Sequence, residues 1–163
     1  MPVLFKSPYG LQFSPVQVVD EVIRYMDAEP KRQYKIMIGT DSERLPNNEA
    51  DFVTAIAIHR VGNGGRYFWR DVHGTKFFTL RDRIIKEVLM SIDIAQEILT
   101  TLQERSPKGG VHNWEFEIHA DVGENGPTKS MIQEIVGMIR AHNFEVKTKP
   151  GSYAASNVAD RYC

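Results

Sequence analysis

The sequence has little of what secreted or membrane proteins need. Its only cysteine is Cys163, so an intramolecular disulfide is excluded, and with it the disulfide scaffolds of small secreted domains. No apolar run is long enough to span a membrane, and the opening "MPVLFKSPYG" lacks the apolar centre of a signal peptide. These absences predict a protein of the reducing cytoplasm with no membrane partner.

An excess of positive charge is also missing. The chain has 20 Lys and Arg against 21 Asp and Glu, which gives a net charge of −1. The surface as a whole therefore does not attract phosphate backbones, and a passive nucleic-acid-binding protein is not favoured. A site that holds a metal ion locally is still compatible with this charge.

The composition that is present is typical of a globular domain. Of the 163 residues, 42% are hydrophobic and 25% are charged. No internal repeat, low-complexity tract or linker divides the chain. We predict a single domain over residues 1–163, in which residues 1–30 form an N-terminal arm and helix before the core and residues 1–13 are irregular.

Periodicity predicts an α/β fold. Three stretches rich in β-forming residues and joined by short connections indicate an antiparallel meander: "QYKIMIGTDS", "DFVTAIAIHRV" and "RYFWRDVHG". Two later strands, "NWEFEIHADV" and "FEVKTK", alternate with helices. The predicted helices run from Ser14-Pro15 to before Pro30, from Leu80 to about Glu104, from about Thr128 to His142, and within "SYAASNVADRYC". The expected fold is a mixed five-stranded sheet, with three antiparallel strands first, flanked by helices.

Carboxylates fall at the places where such sheets bind ligands. Asp41 ends the first predicted strand and Asp121 ends the fourth, although an aspartate also caps turns for local reasons. Glu87 is less easily explained, because a carboxylate on an apolar helix row must be paired, protonated or bound to a metal unless it reaches solvent at the helix edge. The other members of its row are mostly apolar: Leu80, Ile84, Ser91, Ile94 and Ile98.

Several stretches resemble a known family. The chain is similar, from about Lys35 to Tyr162, to the uncharacterised bacterial YkuK-type family, which is placed in the ribonuclease H-like superfamily. The stretches that carry the resemblance are "MIGTDS", "LRDRIIKEV", "HADVGENGPTK", "GMI" and "KPGSYAASNVADRY". The resemblance implies a ribonuclease H-like fold, whose mixed five-stranded sheet matches the order of elements predicted above.

The resemblance also implies a site and a reaction. It places the four acids of a ribonuclease H-like active site on Asp41, Glu87, Asp121 and Asp160. In that superfamily the acids bind two Mg²⁺ or Mn²⁺ ions for phosphodiester hydrolysis. The implied function is a divalent-metal-dependent nuclease, and RNA or an RNA–DNA hybrid is the substrate that the resemblance favours.

Other residues are candidates for supporting roles. His119 alternates with Asp121 and so shares its face of the strand, which fits a metal ligand or a proton shuttle; the alternative is a polar strand face near solvent. Ser42 and Glu43 directly follow Asp41 and are also auxiliary candidates. Positive charge for phosphate binding is available in segments adjoining the site, from Lys129, Lys149 and Arg161.

The stretch "GENGPTKS" (residues 123–130) differs from a phosphate-binding P-loop by one residue. Gly123, Lys129 and Ser130 fit that motif, but Thr128 stands where the motif has its second glycine. The side chain of Thr128 would crowd the backbone where a P-loop surrounds the β-phosphate. We therefore predict a glycine-bearing loop beside the acids rather than a nucleotide site.

Two alternatives to this nuclease assignment remain open at the level of sequence. A 3′–5′ exonuclease of the same fold uses Asp-x-Glu on its first strand, and Asp41-Ser42-Glu43 supplies that pattern, but Ser156 stands where such enzymes carry Tyr or His before Asp160. The other alternative is a non-catalytic module that binds nucleic acid or protein. Retention of all four acids argues against such a module, because an unused acidic cluster is electrostatically costly.

Overall fold

Seven strands form one mixed sheet in the computed structural model, which describes residues 3–149. Their order across the sheet is β2-β1-β5-β4-β3-β6-β7. The strands are β1 (Phe5–Lys6), β2 (Gln12–Phe13), β3 (Gln33–Leu45), β4 (Glu49–Arg60), β5 (Gly65–Lys76), β6 (Asn113–His119) and β7 (Glu145–Lys147). The helices are α1 (Pro15–Ala28), α2 (Leu80–Arg105) and α3 (Ile132–Ala141), with 3₁₀ turns at Pro46–Asn48 and Lys129–Met131.

The three long strands form the predicted antiparallel meander. β3 pairs with β4, and β4 with β5, in continuous antiparallel registers that are interrupted only by an irregularity between Ala50 and Phe52. β6 then returns parallel to β3, and β7 parallel to β6. A parallel return needs a long crossover, and the 26-residue helix α2 provides the first one.

The main hydrophobic core lies between the sheet and the three helices. Alternate residues of the central strands point into it, including Ile36 and Ile38 of β3 and Phe116 and Ile118 of β6. The opposite face carries two smaller clusters, Val53–Ala55–Trp69 and Met37–Ala57. No residue of α1, α2 or α3 belongs to these two clusters, so the described helices cover one face of the sheet.

Side-chain caps fix the first turns of the two long helices. Ser14 and Gln17 form a reciprocal capping box at the start of α1, where Pro15 is the first helical residue, as predicted. At the start of α2 the hydroxyl of Thr79 accepts a hydrogen bond from the backbone N–H of Asp82. The Thr79 cap fixes the first turn of α2, which precedes the part of that helix that contributes to the site described below.

The expected sheet of five strands is wrong in number, because the sheet has seven. The two additional strands, β1 and β2, form a hairpin within residues 1–13, which we expected to be irregular. Each has only two residues, too few for an alternating pattern to be recognised. Phe5 is nevertheless fully buried, and its burial anchors the hairpin to the sheet edge.

Two strand boundaries also differ from the prediction. β3 continues to Leu45, through residues predicted as loop, because it keeps pairing with β4. β6 ends at His119, so Asp121 lies two residues beyond the strand and not at its end. The predicted closing helix in "SYAASNVADRYC" lies outside the described residues. Within residues 3–149, no helix is long and apolar enough to cross a membrane.

Candidate metal centre

Three carboxylates converge at one end of the sheet. Asp41, Glu87 and Asp121 each offer one oxygen, and these three oxygens lie within 4.8 Å of one another. Three of the four acids that the resemblance places in a ribonuclease H-like site therefore lie together. Three carboxylates at this spacing are hard oxygen ligands, which fit Mg²⁺ or Mn²⁺ better than softer metals.

The register of the parallel strands explains why the two aspartates meet. Gly39 of β3 is paired with His119 of β6, and each aspartate lies two residues beyond its member of this pair. Both side chains therefore leave the sheet at the same level. Asp41 is still inside β3 and is paired with Val53, whereas Asp121 is in the loop after β6.

Helix α2 brings the third carboxylate. A buried hydrogen bond of 2.7 Å joins the hydroxyls of Thr40 on β3 and Ser91 on α2 and sets the helix against the strand. Glu87 precedes Ser91 by four residues, about one helical turn, and so projects from the same side of the helix. The mostly apolar row of α2 in which Glu87 was unusual is the row that packs against the sheet.

Burial makes the charge of Glu87 unfavourable. Glu87 is 4% exposed and Asp41 8%, whereas the side chain of Asp121 is 20% exposed. The pKa of Glu87 is raised well above its ordinary value, first by desolvation and further by the negative charges of Asp41 and Asp121. A divalent cation placed among the three carboxylates would remove this penalty.

Ser42 opposes the shift. Its hydroxyl donates a hydrogen bond of 2.5 Å to Oε2 of Glu87, which favours the charged carboxylate and acts to lower its pKa. The backbone N–H of Ser42 also bonds Oδ1 of the preceding Asp41 at 2.8 Å. Ser42, expected as an auxiliary residue, thus contacts two of the three acids and orients both.

Arg83 is a cation of the site that sequence analysis missed. Its Nη1 lies 3.4 Å from the Ser42 hydroxyl, and its positive charge acts to lower the pKa of Glu87. Its guanidinium lies 5.6 Å from the ring centre of Phe77. Nε of Arg83 is buried and has no hydrogen-bond partner within residues 3–149. Its position four residues before Glu87, on the same helix face, was the available signal.

Lys149 is the predicted phosphate-binding residue that the structure places at the acids. Its Nζ lies 2.6 Å from Oδ1 of Asp121, and its backbone N–H bonds the carbonyl of Val122. Lys129 is exposed in the 3₁₀ turn that follows the loop and lines an open cavity of about 620 Å³ beside it. Asp160 and Arg161 lie outside the described residues, and their roles stay predictions.

The loop after Asp121 closes on itself instead of forming a P-loop. The backbone N–H of Gly123 donates to the Thr128 hydroxyl at 3.2 Å, so the residue that breaks the motif fixes the loop. A Cβ on Gly123 would lie 2.8 Å from Cβ of Lys149. Glycine at this position therefore lets β7 and Lys149 approach the acids closely.

His119 and Glu43 do not join the three acids. His119 is 3% exposed, and its Nε2 lies 3.0 Å from Oε1 of Glu117, which is also buried. The expected polar strand face is therefore near solvent at Glu115 but buried at His119. Nδ1 of His119 is buried without a hydrogen-bond partner in the described part of the chain. Burial would raise the pKa of Glu117, but the hydrogen bond to His119 and the nearby charges of His119, Lys35 and Lys147 lower it. Glu43 is exposed.

A Ser–His–Asp row elsewhere has a structural role. His112 bridges the Ser106 hydroxyl and a carboxylate oxygen of Asp27, each at 2.7 Å, which is the residue set of a hydrolase triad. Ser106 is buried at the C-terminus of α2, however, and its carbonyl accepts the indole N–H of Trp114. A buried hydroxyl cannot meet a substrate, so the row ties α1 and α2 to the start of β6.

Comparisons with known proteins agree with this geometry. A family model described as "Ribonuclease H-like" matches residues 17–163. The chain is also 31% identical over 175 residues to the "Uncharacterized protein YkuK" of Bacillus subtilis (strain 168), with 98% of this chain and 96% of that protein covered. No solved structure shows a significant match to the chain.

Proposed function

This chain belongs to the ribonuclease H-like family, and we propose that it is a divalent-metal-dependent nuclease that hydrolyses phosphodiester bonds. The observation that carries the proposal is the convergence of Asp41, Glu87 and Asp121 within 4.8 Å. Two of these carboxylates are buried, and the third lies at the mouth of the site. A buried acidic cluster with an open side is an arrangement that binds metal and still admits a substrate phosphate.

Each acid has a distinct part in holding the metal. Asp41 and Glu87 would hold it from inside the protein, and Asp121 from the solvent side. When bound, Mg²⁺ or Mn²⁺ supplies an activated water and stabilises the oxygen that leaves the phosphorus. Ser42 orients Glu87 and favours its charged form through its hydrogen bond.

Two cations complete the proposed site. Lys149 pairs with Asp121, and its flexible side chain would turn to a substrate phosphate once a cation takes its place on the carboxylate. Arg83 has donors close to Ser42 and Glu87, and a guanidinium is well suited to contact a phosphate oxygen. No protein nucleophile is required, since water attacks the phosphorus.

The substrate class is proposed from the family. Nucleic acid is the expected partner, and RNA or an RNA–DNA hybrid is the proposed substrate. An exonuclease of the Asp-x-Glu type finds no support in the geometry, because Glu43 is exposed and outside the group of three acids. The non-catalytic binding module becomes one outcome of the test.

The test is cleavage of labelled RNA–DNA hybrid and single-stranded RNA in Mn²⁺ and Mg²⁺. Asp121→Asn should slow cleavage at least about a hundredfold, since it removes a ligand that stabilises charge in the transition state. Glu124→Gln is the matched control, because Glu124 lies exposed in the same loop and outside the group of three acids. Calorimetric Mn²⁺ binding by the wild type without cleavage of any substrate would instead favour the binding module.

A further inference from the structure

A cavity of about 350 Å³ lies between the β1–β2 hairpin, α1 and β5. Its size is within the range of small-ligand pockets. Its lining combines aromatic rings with two arginines and includes Tyr9, Phe13, Glu21, Arg24, Tyr25 and Arg66. We call this feature the hairpin cavity.

The hairpin cavity is remote from the three acids. Arg66 on β5 is paired with Ile58 on β4, which is paired with Ile36 on β3. Ile36 precedes Asp41 by five residues of the same strand, so the two sites are about 17 Å apart along the strand direction alone. A ligand in this cavity does not compete for the metal ligands.

The walls of the cavity are already formed without a ligand. In the hairpin turn, both the N–H and the hydroxyl of Ser7 bond the carbonyl of Leu11, and the N–H of Gly10 bonds the carbonyl of Ser7. Phe13 packs edge-on against Phe68 at 5.6 Å. The ordering cost that a ligand would otherwise have to offset is therefore small.

Tyr9 is presented to solvent by this ordered turn. Its side chain is 80% exposed and takes no part in the core. An aromatic ring held out on a fixed turn is a stacking surface, and stacking on a nucleic-acid base tolerates any base because every base has a π-face. Within residues 3–149, Tyr9 belongs to no hydrophobic cluster.

The charges of the cavity favour an anionic ligand. Arg66 lies 4.9 Å from the ring centre of Tyr25 and forms no ion pair with a carboxylate of residues 3–149. Arg24 contacts Glu21 at 3.2 Å, but its side chain is 76% exposed and can reach a ligand as well. Two arginines against one glutamate leave a local excess of one positive charge in a protein whose net charge is −1.

We propose that the hairpin cavity binds one nucleotide unit of a single-stranded nucleic acid, with the base stacked on Tyr9 and the phosphate held by Arg66 and Arg24. Aromatic rings beside arginines match the two halves of a nucleotide, a flat ring and an anionic phosphate. An acidic peptide would use the arginines but would leave the exposed ring of Tyr9 without a matching surface. This binding goes beyond the proposed hydrolysis and does not depend on it.

The test is fluorescence anisotropy with a labelled single-stranded RNA of about twelve nucleotides, in EDTA so that no cleavage occurs. Tyr9→Ala should weaken binding at least about fivefold, the lower limit for loss of one stacked base. Arg66→Gln should weaken binding and reduce the slope of log Kd against log salt concentration by about 0.7, because one phosphate contact is lost from a single strand. The assay contains no metal, so its outcome does not depend on the proposed hydrolysis.

Two surface variants serve as controls. Arg140→Gln makes the same charge change at an exposed position of α3, and Val111→Ala removes an exposed apolar side chain outside the cavity; neither should alter the affinity. Adenosine monophosphate, added as a competitor, distinguishes a free nucleotide from a strand. Equal affinities of Tyr9→Ala, Arg66→Gln and the controls would overturn the proposal, and so would displacement of the RNA by the mononucleotide at the same concentration as by unlabelled RNA.

Discussion

Glu87 carries an electrostatic cost within the site. Its burial and the two neighbouring aspartates raise the pKa of its carboxyl group, while the hydrogen bond from Ser42 and the charge of Arg83 act in the opposite direction. Metal binding needs the deprotonated carboxylate. The affinity for metal is therefore set in part by the residues that favour the charged form of Glu87.

Ser42→Ala should weaken Mn²⁺ binding about tenfold at neutral pH. The substitution removes the hydrogen bond that favours charged Glu87, and loss of such a supporting partner typically costs ten- to a hundredfold in metal affinity. Isothermal calorimetry measures the change. The deficit should shrink as the pH rises, because Glu87 then loses its proton in both proteins.

The exposed Ser130, in the turn after the loop, gives the matched control. Ser130→Ala should leave Mn²⁺ affinity unchanged at every pH. A pH-independent loss in Ser42→Ala would mean that Ser42 acts only by positioning the backbone of β3, and unchanged affinity would remove Ser42 from the site.

Some residues of the site could be recognised from the sequence and others could not. Glu87 stood out because a carboxylate interrupts an otherwise apolar helix row, which is a pattern visible without a structure. Arg83 did not stand out in the sequence, because an arginine in the first turns of a helix ordinarily belongs to a solvated face. Its role appears only when β3 places Ser42 against that turn, a contact between positions 41 residues apart.

At the scale of elements, the long segments and the short strand β7 were predictable, whereas the two-residue strands β1 and β2 were not. α2 begins at Leu80 as predicted and ends at Arg105, one residue beyond the expected end at Glu104. These bounds were predictable because the helical periodicity runs through many turns. β1 and β2 have two residues each and are defined by their hydrogen-bonded neighbours, whereas the three residues of β7 lie within the predicted strand "FEVKTK". The last residues of predicted strand β6 form a loop instead, because the glycine-bearing segment turns away to close on Thr128.

Gly123 and Gly137 make a matched pair of glycines with opposite expected effects. Gly123→Ala should reduce metal-dependent cleavage at least about tenfold and lower the melting temperature, because its new methyl group would lie 2.8 Å from Cβ of Lys149 and push the segment after β7 away from the loop. In Gly137→Ala, by contrast, nothing lies within 4 Å of the added Cβ. Gly137 is inside α3, so alanine there should stabilise the protein by about 0.5–1 kcal/mol.

Thermal melts and cleavage assays of the two variants together decide this prediction. Gly137→Ala should keep wild-type cleavage, which controls for a general effect of adding a methyl group. If Gly123→Ala keeps full activity and stability, the close approach of Lys149 is not needed for the site.

For the whole molecule, the cost of Glu87 predicts how stability depends on pH. The pKa of Glu87 is raised in the folded protein, so the folded state binds more protons than the unfolded state between the unfolded and the folded pKa. The stability associated with protonated Glu87 is present below about pH 4.3 and is lost as the pH rises through the folded pKa. A glutamine at position 87 does not ionise, so Glu87→Gln avoids this loss of stability. Its amide oxygen can still accept the hydrogen bond from the Ser42 hydroxyl.

In EDTA, the melting temperature of Glu87→Gln should therefore exceed that of the wild type by at least about 3 °C at pH 8, with a smaller difference at pH 5. Differential scanning calorimetry across this pH range measures both curves. Saturating Mn²⁺ should reverse the order, since the wild type gains binding free energy that the variant lacks. Parallel melting curves in EDTA would show that Glu87 is ionised without penalty.

The parallel pairing of β3 with β6 has a consequence for how the chain folds. Gln33 is paired with Asn113, 80 positions later, so this pairing closes a long loop that contains the entire meander and α2. Contacts between such distant positions form slowly, because the entropy of loop closure is lost before they contribute. Asp41 and Asp121 meet only across this pair of strands. The ability to bind metal should therefore arise late in refolding, after β3, β4 and β5 have paired, and a chain arrested before that step would have native strands but no site.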